Sequence, residues 1–293
     1  MKNKAIIFGA SGQDGFYLDK LPNKHNIEVK KSSRNRFIKG NIGDFDFVNN
    51  LIKDVKPDYI FNFAASSNVD HSYIKQNFNS ISTGTFNILE SASSLKLKKT
   101  KIFLSGSIFQ FKNDNNPITE NNPLDYSNHY SVLRNNSLHM SRYYRDILKL
   151  NIYFGFFCNH DSPLRSDKYV NSYIIKSLLD LKNNKINEFE VFNMKYFKEF
   201  NHAKDIVDAV WKLVNQEKIN ELIIGSGKSY SIQEWIEICS KIIDVNISKK
   251  IINNEKNNLT KKVISNPKKL FSIGFKPQLN IYDLANEMIN EFN

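Results

Sequence analysis

Short runs of apolar residues alternate along the chain with longer stretches in which apolar positions recur at helical spacing. The apolar runs lie at residues 5–8, 27–29, 59–63, 102–104 and 152–157. Their β-branched and aromatic content predicts strands. The stretches with helical spacing lie at residues 14–21, 45–55, within 72–95 and at 130–148. This alternation is typical of a parallel sheet whose crossover helices cover both faces.

The pattern becomes looser after about residue 160. Further helices are predicted at residues 170–181, 203–214, 232–243 and 281–292. The sequence therefore predicts an α/β fold, with a Rossmann-type doubly wound parallel sheet and a smaller C-terminal α/β cap. We expect the cofactor-binding sheet domain to span residues 1–160. Residues 161–293 are expected to form mainly a substrate-binding cap, with some segments returning to the first domain.

The composition is that of a globular chain, because 41% of the 293 residues are hydrophobic and 13% are aromatic. No apolar run approaches the roughly 20 residues that a membrane span requires, and the N-terminal residues do not resemble a secretory signal. We therefore expect a cytoplasmic protein without membrane contact. The two cysteines, Cys158 and Cys239, lack metal-ligand spacing, so neither a disulfide nor a metal site is predicted.

The formal net charge of +11 raises the question of an anionic partner. The lysines are spread along the chain and do not gather into one aromatic-rich basic stripe, which argues against a nucleic-acid partner. A positive charge of this kind still favours an anionic cofactor and an anionic substrate.

Three glycines follow the first predicted strand and open the first predicted helix, in the run Gly9-Ala-Ser-Gly12-Gln-Asp-Gly15. Glycine lets the backbone turn tightly and approach a pyrophosphate, which free N–H groups and the helix dipole then stabilise. This context predicts a dinucleotide-binding loop. The predicted cofactor contacts in the loop are Gly9, Ser11, Gly12, Gln13, Asp14 and Gly15.

The end of the second predicted strand indicates which dinucleotide binds. An NAD site usually carries an acidic residue there, which accepts hydrogen bonds from the adenosine ribose. The run Val29-Lys-Lys-Ser-Ser-Arg34-Asn-Arg36 contains no acid, and the guanidinium of Arg34 offers forked donors to a 2′-phosphate. NADP is therefore predicted in preference to NAD, with Asn41 and Ile42 lying against the adenine.

Six short motifs are distributed in order over nearly the whole chain. They are Gln13-Asp-Gly15 with Tyr17-Leu18, Asn62-Phe-Ala-Ala65, Asn159-His-Asp-Ser-Pro163, Asn201-His-Ala-Lys-Asp205, Gly225-Ser-Gly227 and Ile273-Gly-Phe-Lys-Pro277. Together they resemble GDP-mannose 4,6-dehydratases, which belong to the extended short-chain dehydrogenases/reductases. The resemblance adds Ala64 and Ala65 to the predicted cofactor contacts.

In this family, as the resemblance implies, a tyrosine exchanges a proton with a sugar hydroxyl while hydride moves between sugar C4 and the cofactor. Tyr130 occupies that place. Arg134 stands one helical turn later, where the family has a lysine. A spacing of four residues keeps the cation on the face of the helix that carries the tyrosine. A guanidinium does not reproduce the contacts of an ammonium with the nicotinamide ribose, however.

A second departure lies in the run Ser105-Gly-Ser-Ile-Phe-Gln110. The family places a threonine that holds sugar O4 where this chain has Gly106, and a glutamate that removes the C5 proton where it has Ile108. Isoleucine cannot act as a base, so dehydration would need Gln110, Asp70 or a group of the substrate instead. Ser105 and Ser107 are the candidates to replace the lost hydroxyl; the alternative is that both are ordinary turn residues.

The resemblance also implies the partners of the protein. The substrate is expected to be a nucleotide-diphosphate sugar, GDP-linked by resemblance, with Asn159 on the sugar or diphosphate and Val170 covering the nucleotide. Arg165 and Lys198 lie at cationic positions of the family and are expected to meet the diphosphate. A homodimer is expected through the helices within residues 72–95 and 130–148.

Three functions remain open from the sequence. The first is a nucleotide-sugar enzyme of the dehydratase type. The second is a reductase or epimerase acting at C4, which needs the tyrosine and hydride transfer but no base at C5. The third is a catalytically inactive, cofactor-binding homologue, because Arg134, Gly106 and Ile108 replace three family groups. An unrelated Rossmann-fold redox sensor is disfavoured, since it would make the matches in the second half accidental.

Overall fold

Thirteen strands are found in the described part of the chain, which comprises residues 2–24, 26–66, 68–248, 250–254 and 261–292 of the computed structural model. In chain order they are β1 (Lys4–Phe8), β2 (Glu28–Ser33), β3 (Ile38–Lys39), β4 (Tyr59–Asn62), β5 (Lys101–Ser107), β6 (Asn151–Phe157), β7 (His160–Asp161), β8 (Phe189–Val191), β9 (Phe197–Glu199), β10 (Asn201–His202), β11 (Glu221–Ile224), β12 (Ser229–Ser231) and β13 (Ile251–Asn253).

The helices connect these strands and cover the sheet. They are α1 (Gln13–Lys24), α2 (Phe45–Val55), α3 (Ile74–Asn77), α4 (Gly84–Ser94), α5 (His129–Asp146), α6 (Val170–Lys182), α7 (Ala203–Val214), α8 (Ile232–Ile243), α9 (Lys268–Ser272) and α10 (Ile281–Phe292). Short 3-10 helices lie at His71–Tyr73 and Ile108–Gln110, and a π-helical turn at Phe78–Thr83 joins α3 to α4. None of the helices in the described ranges has the length and apolar character needed to cross a bilayer.

Seven strands form one parallel sheet in the order β11-β6-β5-β4-β1-β2-β3. The direction of winding reverses between β1 and β4, so the predicted doubly wound parallel sheet is confirmed. In such sheets a crevice opens at the carboxyl ends of the strands on either side of the reversal. This topology places the loops after β1, β4, β5 and β6 at one edge.

Two hydrophobic clusters cover the two faces of the sheet. One contains α2, α4 and α5, represented by Ile52, Leu89 and Leu138; the other contains α1 and α7, represented by Leu18 and Val210. All five side chains are fully buried. Burial of each such side chain contributes about 1.5–3 kcal/mol to the stability of the fold. The two clusters therefore hold in place the sheet that carries the crevice.

A third hydrophobic cluster lies apart from the sheet and is built from the second half of the chain. It joins α6, α8 and α10 around Leu178, Trp235 and Met288. Three two-stranded sheets, β7 with β10, β8 with β13 and β9 with β12, accompany it. This cluster forms the smaller cap beside the carboxyl edge of the main sheet.

Some elements differ from the sequence expectation. The helix expected within residues 72–95 is divided into α3, a π-helical turn and α4. A Cβ on Gly84 at the start of α4 would meet Cγ2 of Ile42 at 2.9 Å, so glycine permits this close approach. Strand β11 was not predicted, because a run of four residues gives too little periodicity to identify a strand. It nevertheless completes the sheet beside β6.

Candidate active site

Two adjoining clefts open at the carboxyl edge of the sheet. The first has a volume of about 270 Å³ and is lined by the glycine-rich loop and the ends of β1, β2 and β4; we call it the loop cleft. The second has a volume of about 460 Å³ and is lined by Tyr130 and by the ends of β5 and β6; we call it the tyrosine cleft. Gly12, Phe63 and Ala65 line both clefts, which are therefore continuous.

The glycine-rich loop is held tightly against the sheet. Gly9 has φ +80°, and a Cβ there would meet the backbone N of Ala64 at 2.6 Å. A Cβ on Gly15 would meet Cα of Ala10 at 2.6 Å. The Gly9 and Ala10 N–H groups donate to the carbonyl of Ser32 at 3.0 and 3.1 Å. Glycine is needed at these positions, because only the absence of a side chain lets loop and strand meet so closely.

The structure brings most of the predicted cofactor residues together. Of the predicted cofactor residues, those that line the loop cleft are Gly9, Ser11, Gly12, Arg34, Asn41, Ile42, Ala64 and Ala65. Gln13 and Asp14 line the tyrosine cleft instead. Gly15 lines neither cleft, since it packs beneath Ala10 inside the turn.

The basic end of β2 lies at the mouth of the loop cleft. Lys31 forms an ion pair with Asp19 at 3.0 Å, and the Ser33 hydroxyl is bound to the backbone of Arg36 at 2.7 Å. Arg34 is exposed and lines the cleft. The guanidinium of Arg34 is therefore the predicted cation that is placed to meet an anionic group in this cleft.

Four polar residues of the loop cleft were missed from the sequence: Ser66, Gln76, Asn79 and Ser80. Asn79 donates from Nδ2 to Oδ1 of Asn41 at 3.2 Å, and the Gly43 N–H donates to the same oxygen at 3.0 Å. Three of the four lie on the helical segment that passes the cleft. An irregular π-helical turn leaves no clear pattern in the sequence, although such turns are frequent at functional sites.

Tyr130 and Arg134 are in direct contact at the floor of the tyrosine cleft. Nε of Arg134 donates to the Tyr130 hydroxyl at 3.2 Å, and Nη1 donates to the carbonyl of Ser105. The Ser105 hydroxyl lies 3.5 Å from the same nitrogen. Asn128 caps α5 by accepting from the Ser131 N–H at 2.9 Å. The capped helix thus points Tyr130 and Arg134 at the same volume that Ser105 lines from β5.

The two serines of the β5 turn have different surroundings, although both line the tyrosine cleft. The Ser107 hydroxyl accepts from the Phe109 N–H at 3.3 Å and caps the 3-10 helix Ile108–Gln110. The Ser105 hydroxyl faces Arg134. Ser105 is therefore better placed than Ser107 to contact a sugar hydroxyl beside Tyr130.

Position 108 faces away from the tyrosine cleft. Ile108 is 1% exposed and belongs to the hydrophobic core on the α5 side of the sheet. Gly106 does line the cleft, but a Cβ there would clash with the Phe154 ring and with Oε1 of Gln110. Neither position has room for the hydroxyl or the carboxylate that the family places there.

The substitutes considered for the missing base are engaged elsewhere. Gln110 is fully buried; it accepts from the Ser107 N–H at 2.8 Å and donates to Asn135 at 3.1 Å. Asp70 caps the 3-10 helix His71–Tyr73, and its hydrogen bonds with Ser72 lower the pKa of its carboxyl. Neither residue lines the tyrosine cleft.

All four predicted substrate residues, Asn159, Arg165, Val170 and Lys198, line the tyrosine cleft. Arg165 is paired with Asp161 at 3.0 Å. The other carboxylate oxygen of Asp161 accepts from Asn171 at 2.7 Å, and Asn171 in turn accepts from Nζ of Lys198 at 3.0 Å. Asn171 was missed from the sequence, because an amide beside Val170 carries no signal of its own.

Lys198 and Asn159 present polar groups that the fold leaves available to a ligand. Burial lowers the pKa of Lys198 to about 8, since desolvation disfavours the ammonium form. Oδ1 of Asn159 is buried and accepts no hydrogen bond from any described residue. A buried acceptor without a partner costs about 1–3 kcal/mol, which a bound hydroxyl would offset.

The first helix and the Asn159–Pro163 motif are joined by hydrogen bonds. Gln13 accepts from the Ser162 hydroxyl at 2.9 Å and donates to the carbonyl of His160 at 3.2 Å. Nε2 of His160 lies 2.9 Å from Asp14. His202 contacts Glu287 at 3.1 Å and accepts from the Lys204 N–H at 3.0 Å. Both histidines therefore serve as hydrogen-bonding links between segments.

Aromatic side chains form much of the remaining wall of the tyrosine cleft. They are Phe63, Phe109, Phe157 and Tyr169. Phe63 and Phe157 stack with their ring centroids 6.2 Å apart, and the Arg165 guanidinium lies 3.7 Å above the Tyr169 ring. These residues were missed because single aromatic residues in a sequence are equally typical of a hydrophobic core.

Comparison with known proteins identifies the relatives of this chain. The family model described as GDP-mannose 4,6 dehydratase matches residues 18–277. The chain is 26% identical to GDP-mannose 4,6-dehydratase of Vibrio cholerae over 275 residues, covering 85% of this chain and 74% of the relative. It is 26% identical to human GDP-mannose 4,6 dehydratase over 264 residues, covering 80% of this chain and 71% of the relative.

Solved structures share the fold at low identity. RMD of Pseudomonas aeruginosa, complexed with NADPH, matches with a TM-score of 0.88 at 17% identity and covers 99% of both chains. UDP-glucose 4-epimerase of Thermus thermophilus, complexed with NAD, matches with a TM-score of 0.85 at 14% identity, covering 99% of this chain and 98% of the other.

Proposed function

The chain belongs to the GDP-mannose 4,6-dehydratase family, and on that basis we propose that it is an NADP-dependent oxidoreductase that acts at C4 of a nucleotide-linked sugar without eliminating water. Reduction of a 4-keto sugar or epimerisation at C4 is the reaction class. Relatives in this family include dehydratases, and the structural neighbours include epimerases.

One observation carries this proposal: the position of the family base is occupied by Ile108 inside the hydrophobic core. Elimination of water needs a group that removes the C5 proton. The carboxylates that line the tyrosine cleft in the described part of the chain are Asp14 and Asp161, and each is bound to a cationic partner or a histidine. Redox chemistry at C4 needs no such base.

The residues of the loop cleft fit a dinucleotide that carries a 2′-phosphate. Gly9 and Gly15 let the loop turn tightly, Gly9 and Gly12 line the cleft, and Arg34 lies at the mouth where a 2′-phosphate would be met. The neighbours bind NADPH or NAD, and the absence of an acid at the end of β2 supports NADP. The nicotinamide would supply the hydride acceptor or donor for C4 when bound.

The residues of this chain would move the proton. Tyr130 would exchange it with the sugar oxygen at C4, and the Ser105 hydroxyl would orient that oxygen. Arg134, which donates to the Tyr130 oxygen at 3.2 Å, would hold the phenol in place and stabilise negative charge that develops on it. Ser107, as a helix cap, would support the turn.

A nucleoside diphosphate suits the other end of the tyrosine cleft. Lys198 and Arg165 would meet its phosphates, Asn159 would accept a hydrogen bond from the ligand, and Val170 would cover the nucleotide. GDP is the nucleotide favoured by family. Three of these residues lie beyond residue 160, and Asn159 lies just before it. We therefore propose that residues 161–293 form mainly the substrate-binding cap and residues 1–160 the cofactor domain.

A homodimer is proposed through α4 and α5. The two helices lie side by side, since Thr85 contacts Ser137 at 3.2 Å and Tyr144 contacts Glu90 at 2.7 Å. Exposed apolar side chains lie on or next to these helices: Phe78 in the preceding π-helical turn, Phe86 on α4, Val132 and Tyr143 on α5, and Ile147 just after α5. Such a patch is typical of a subunit interface. A light-scattering mass equal to one 34.0 kDa chain would reject the dimer.

The competing function is a homologue that binds the cofactor without turnover. It is favoured by the contact of the Arg134 guanidinium with both Tyr130 and Ser105, because hydrogen bonds from one guanidinium to both groups restrain the Tyr130 side chain. It would still bind NADPH, so binding alone does not distinguish the two functions.

Mass spectrometry of the products separates these functions. The protein is incubated with NADPH and a 4-keto-6-deoxy nucleotide sugar, and separately with NADP and GDP-mannose. We expect gain of two hydrogens in the first mixture, abolished by Tyr130→Phe, and no loss of water in the second. Loss of water from GDP-mannose would instead assign a dehydratase. Epimerisation at C4 does not alter the mass, so the C4 configuration of the recovered nucleotide sugar is also followed by NMR. No change of mass or of configuration in either mixture would favour the homologue without turnover.

A further inference from the structure

Glu199, at the end of β9, is a buried carboxylate that binds neutral donors from several segments. It is 1% exposed. One oxygen accepts from the Ser265 N–H at 2.7 Å and the Ser265 hydroxyl at 2.6 Å. The other accepts from the N–H groups of Ser226 and Gly227 at 2.7 and 3.3 Å, from the Ser226 hydroxyl at 3.3 Å and from Asn201 Nδ2 at 3.0 Å.

The Gly225-Ser-Gly227 motif is shaped around this carboxylate. A Cβ on Gly225 would meet Oε2 of Glu199 and Sγ of Cys158, each at 2.6 Å. Gly227 has φ +71°, a conformation that other residues rarely adopt. The motif therefore lets two successive N–H groups reach a carboxylate inside the protein, where an unpaired charge would be strongly destabilising.

Glu199 is connected to two of the polar residues of the tyrosine cleft that are proposed to contact the ligand, Lys198 and Asn159. Lys198 precedes it on β9, and because strand residues alternate between faces, a fixed Glu199 places Lys198 toward the opposite face. Asn201 Nδ2, which donates to Glu199, also donates to the carbonyl of Asn159 at 2.9 Å. Lys198 and Asn159 line the cleft, whereas Glu199 does not.

We propose that Glu199 is a positioning residue for the nucleoside diphosphate, fixing Lys198 through β9 and Asn159 through Asn201 without touching the ligand. The proposal rests on the proposed function, since it takes Lys198 and Asn159 as ligand contacts. The loop cleft is built from β1, β2 and β4. Glu199 should therefore affect binding of the nucleoside diphosphate and leave binding of NADPH unchanged.

The test is the Glu199→Gln variant, titrated with GDP, with UDP and with NADPH. The amide turns one acceptor oxygen into a donor that faces other donors. We expect Kd for the better-bound diphosphate to rise about tenfold, as loss of one hydrogen bond to a charged group implies, with Kd for NADPH unchanged. The Asn201→Ala variant removes the side-chain donor that joins Glu199 to Asn159 and leaves the other contacts of Glu199 in place. It should raise the same Kd by a smaller factor.

Glu221→Gln is the matched control. Glu221 is a partly buried carboxylate on β11 that pairs with Arg142 and Arg145, each at 2.7 Å, and it lines neither cleft. This variant should lower the unfolding temperature and leave every Kd unchanged.

The outcomes separate the two proposals. If the unaltered protein binds neither GDP nor UDP, the proposed function fails and the role of Glu199 fails with it. If it binds one of them and Glu199→Gln binds equally well, or weakens NADPH to the same extent, only the positioning role is overturned. Should Glu199→Gln not fold, Asn201→Ala decides by the same criterion.

Discussion

His160 and Asp14 are 146 positions apart in the sequence, yet Nε2 of the imidazole lies 2.9 Å from Oδ1 of the carboxylate. Nδ1 of His160 faces the carbonyl of Cys158 at 2.8 Å. An imidazole whose two nitrogens both face acceptors is best satisfied when it is protonated. The pair therefore joins α1, which the glycine-rich loop opens, to strand β7.

This pair predicts a pH dependence of stability. Burial disfavours the imidazolium, but the Asp14 carboxylate outweighs burial and raises the pKa of His160. A raised pKa in the folded state means that the stabilisation is fully present below the unfolded value of about 6.5 and is lost as pH rises through the folded value. The stability advantage of the unaltered protein over His160→Asn should shrink over that window.

The measurement is urea unfolding of both proteins at a series of pH values. His202→Asn is the control, because burial lowers the pKa of His202 and its contribution has the opposite sign: it is lost as pH falls. An advantage that stays constant from acid to alkaline pH would contradict the assigned role of the His160–Asp14 pair.

Restoring the family glutamate should not restore dehydration. Ile108→Glu places a carboxylate among the core residues around Phe154 and Phe156, which costs several kcal/mol, about the value of a severe core substitution. We expect a marked loss of stability in urea and no water loss from GDP-mannose. Ile108→Val, the control, should cost only about 0.5–1.5 kcal/mol. Dehydration by a stable Ile108→Glu variant would contradict the placement of this side chain.

Arg134 should affect turnover more than cofactor binding. Arg134→Ala removes the donor to Tyr130 and to the Ser105 carbonyl, and we expect kcat to fall by about 10²–10³-fold, as for loss of a donor that stabilises developing charge. Arg134→Lys keeps a cation and should retain more activity. Rates come from NADPH absorbance and Kd from NADPH fluorescence. An alanine variant with unchanged kcat would exclude a role for Arg134 in turnover.

Arg34 should select the phosphorylated cofactor. Arg34→Ala removes the exposed guanidinium at the mouth of the loop cleft and should raise Kd for NADPH about tenfold while Kd for NADH stays constant. Arg36→Ala is the control, because Arg36 does not line that cleft. Equal weakening of both dinucleotides would mean that Arg34 does not read the 2′-phosphate.

Lys198 should make diphosphate binding depend on pH. Its pKa of about 8 means that the ammonium form prevails below that value, so GDP affinity should fall as pH rises through it. Lys198→Arg stays charged over the same range and should show a flatter profile. Calorimetric titration with GDP from neutral to alkaline pH measures both, and parallel profiles would exclude Lys198 as the titrating group.

Much of the fold and the glycine-rich loop could be predicted from the sequence, because both depend on local signals. The helices Phe45–Val55, Ala203–Val214, Ile232–Ile243 and Ile281–Phe292 begin and end at the predicted residues. In each, apolar residues recur on one face, and this periodicity is readable without knowledge of the partner surface. The six motifs likewise gave the family from the sequence, and the match over residues 18–277 confirms it.

The direction in which side chains point was decided only by the tertiary structure. Ser105, Ser107 and Ile108 are neighbours in the sequence, but the tertiary structure gives each different surroundings. Ile108 lies in the hydrophobic core, Ser107 caps a 3-10 helix, and Ser105 lies beside Arg134. The contacts of Glu199 with Ser265 and of His160 with Asp14 join residues 66 and 146 positions apart. Such contacts depend on how distant elements pack together, and local periodicity carries no record of that packing.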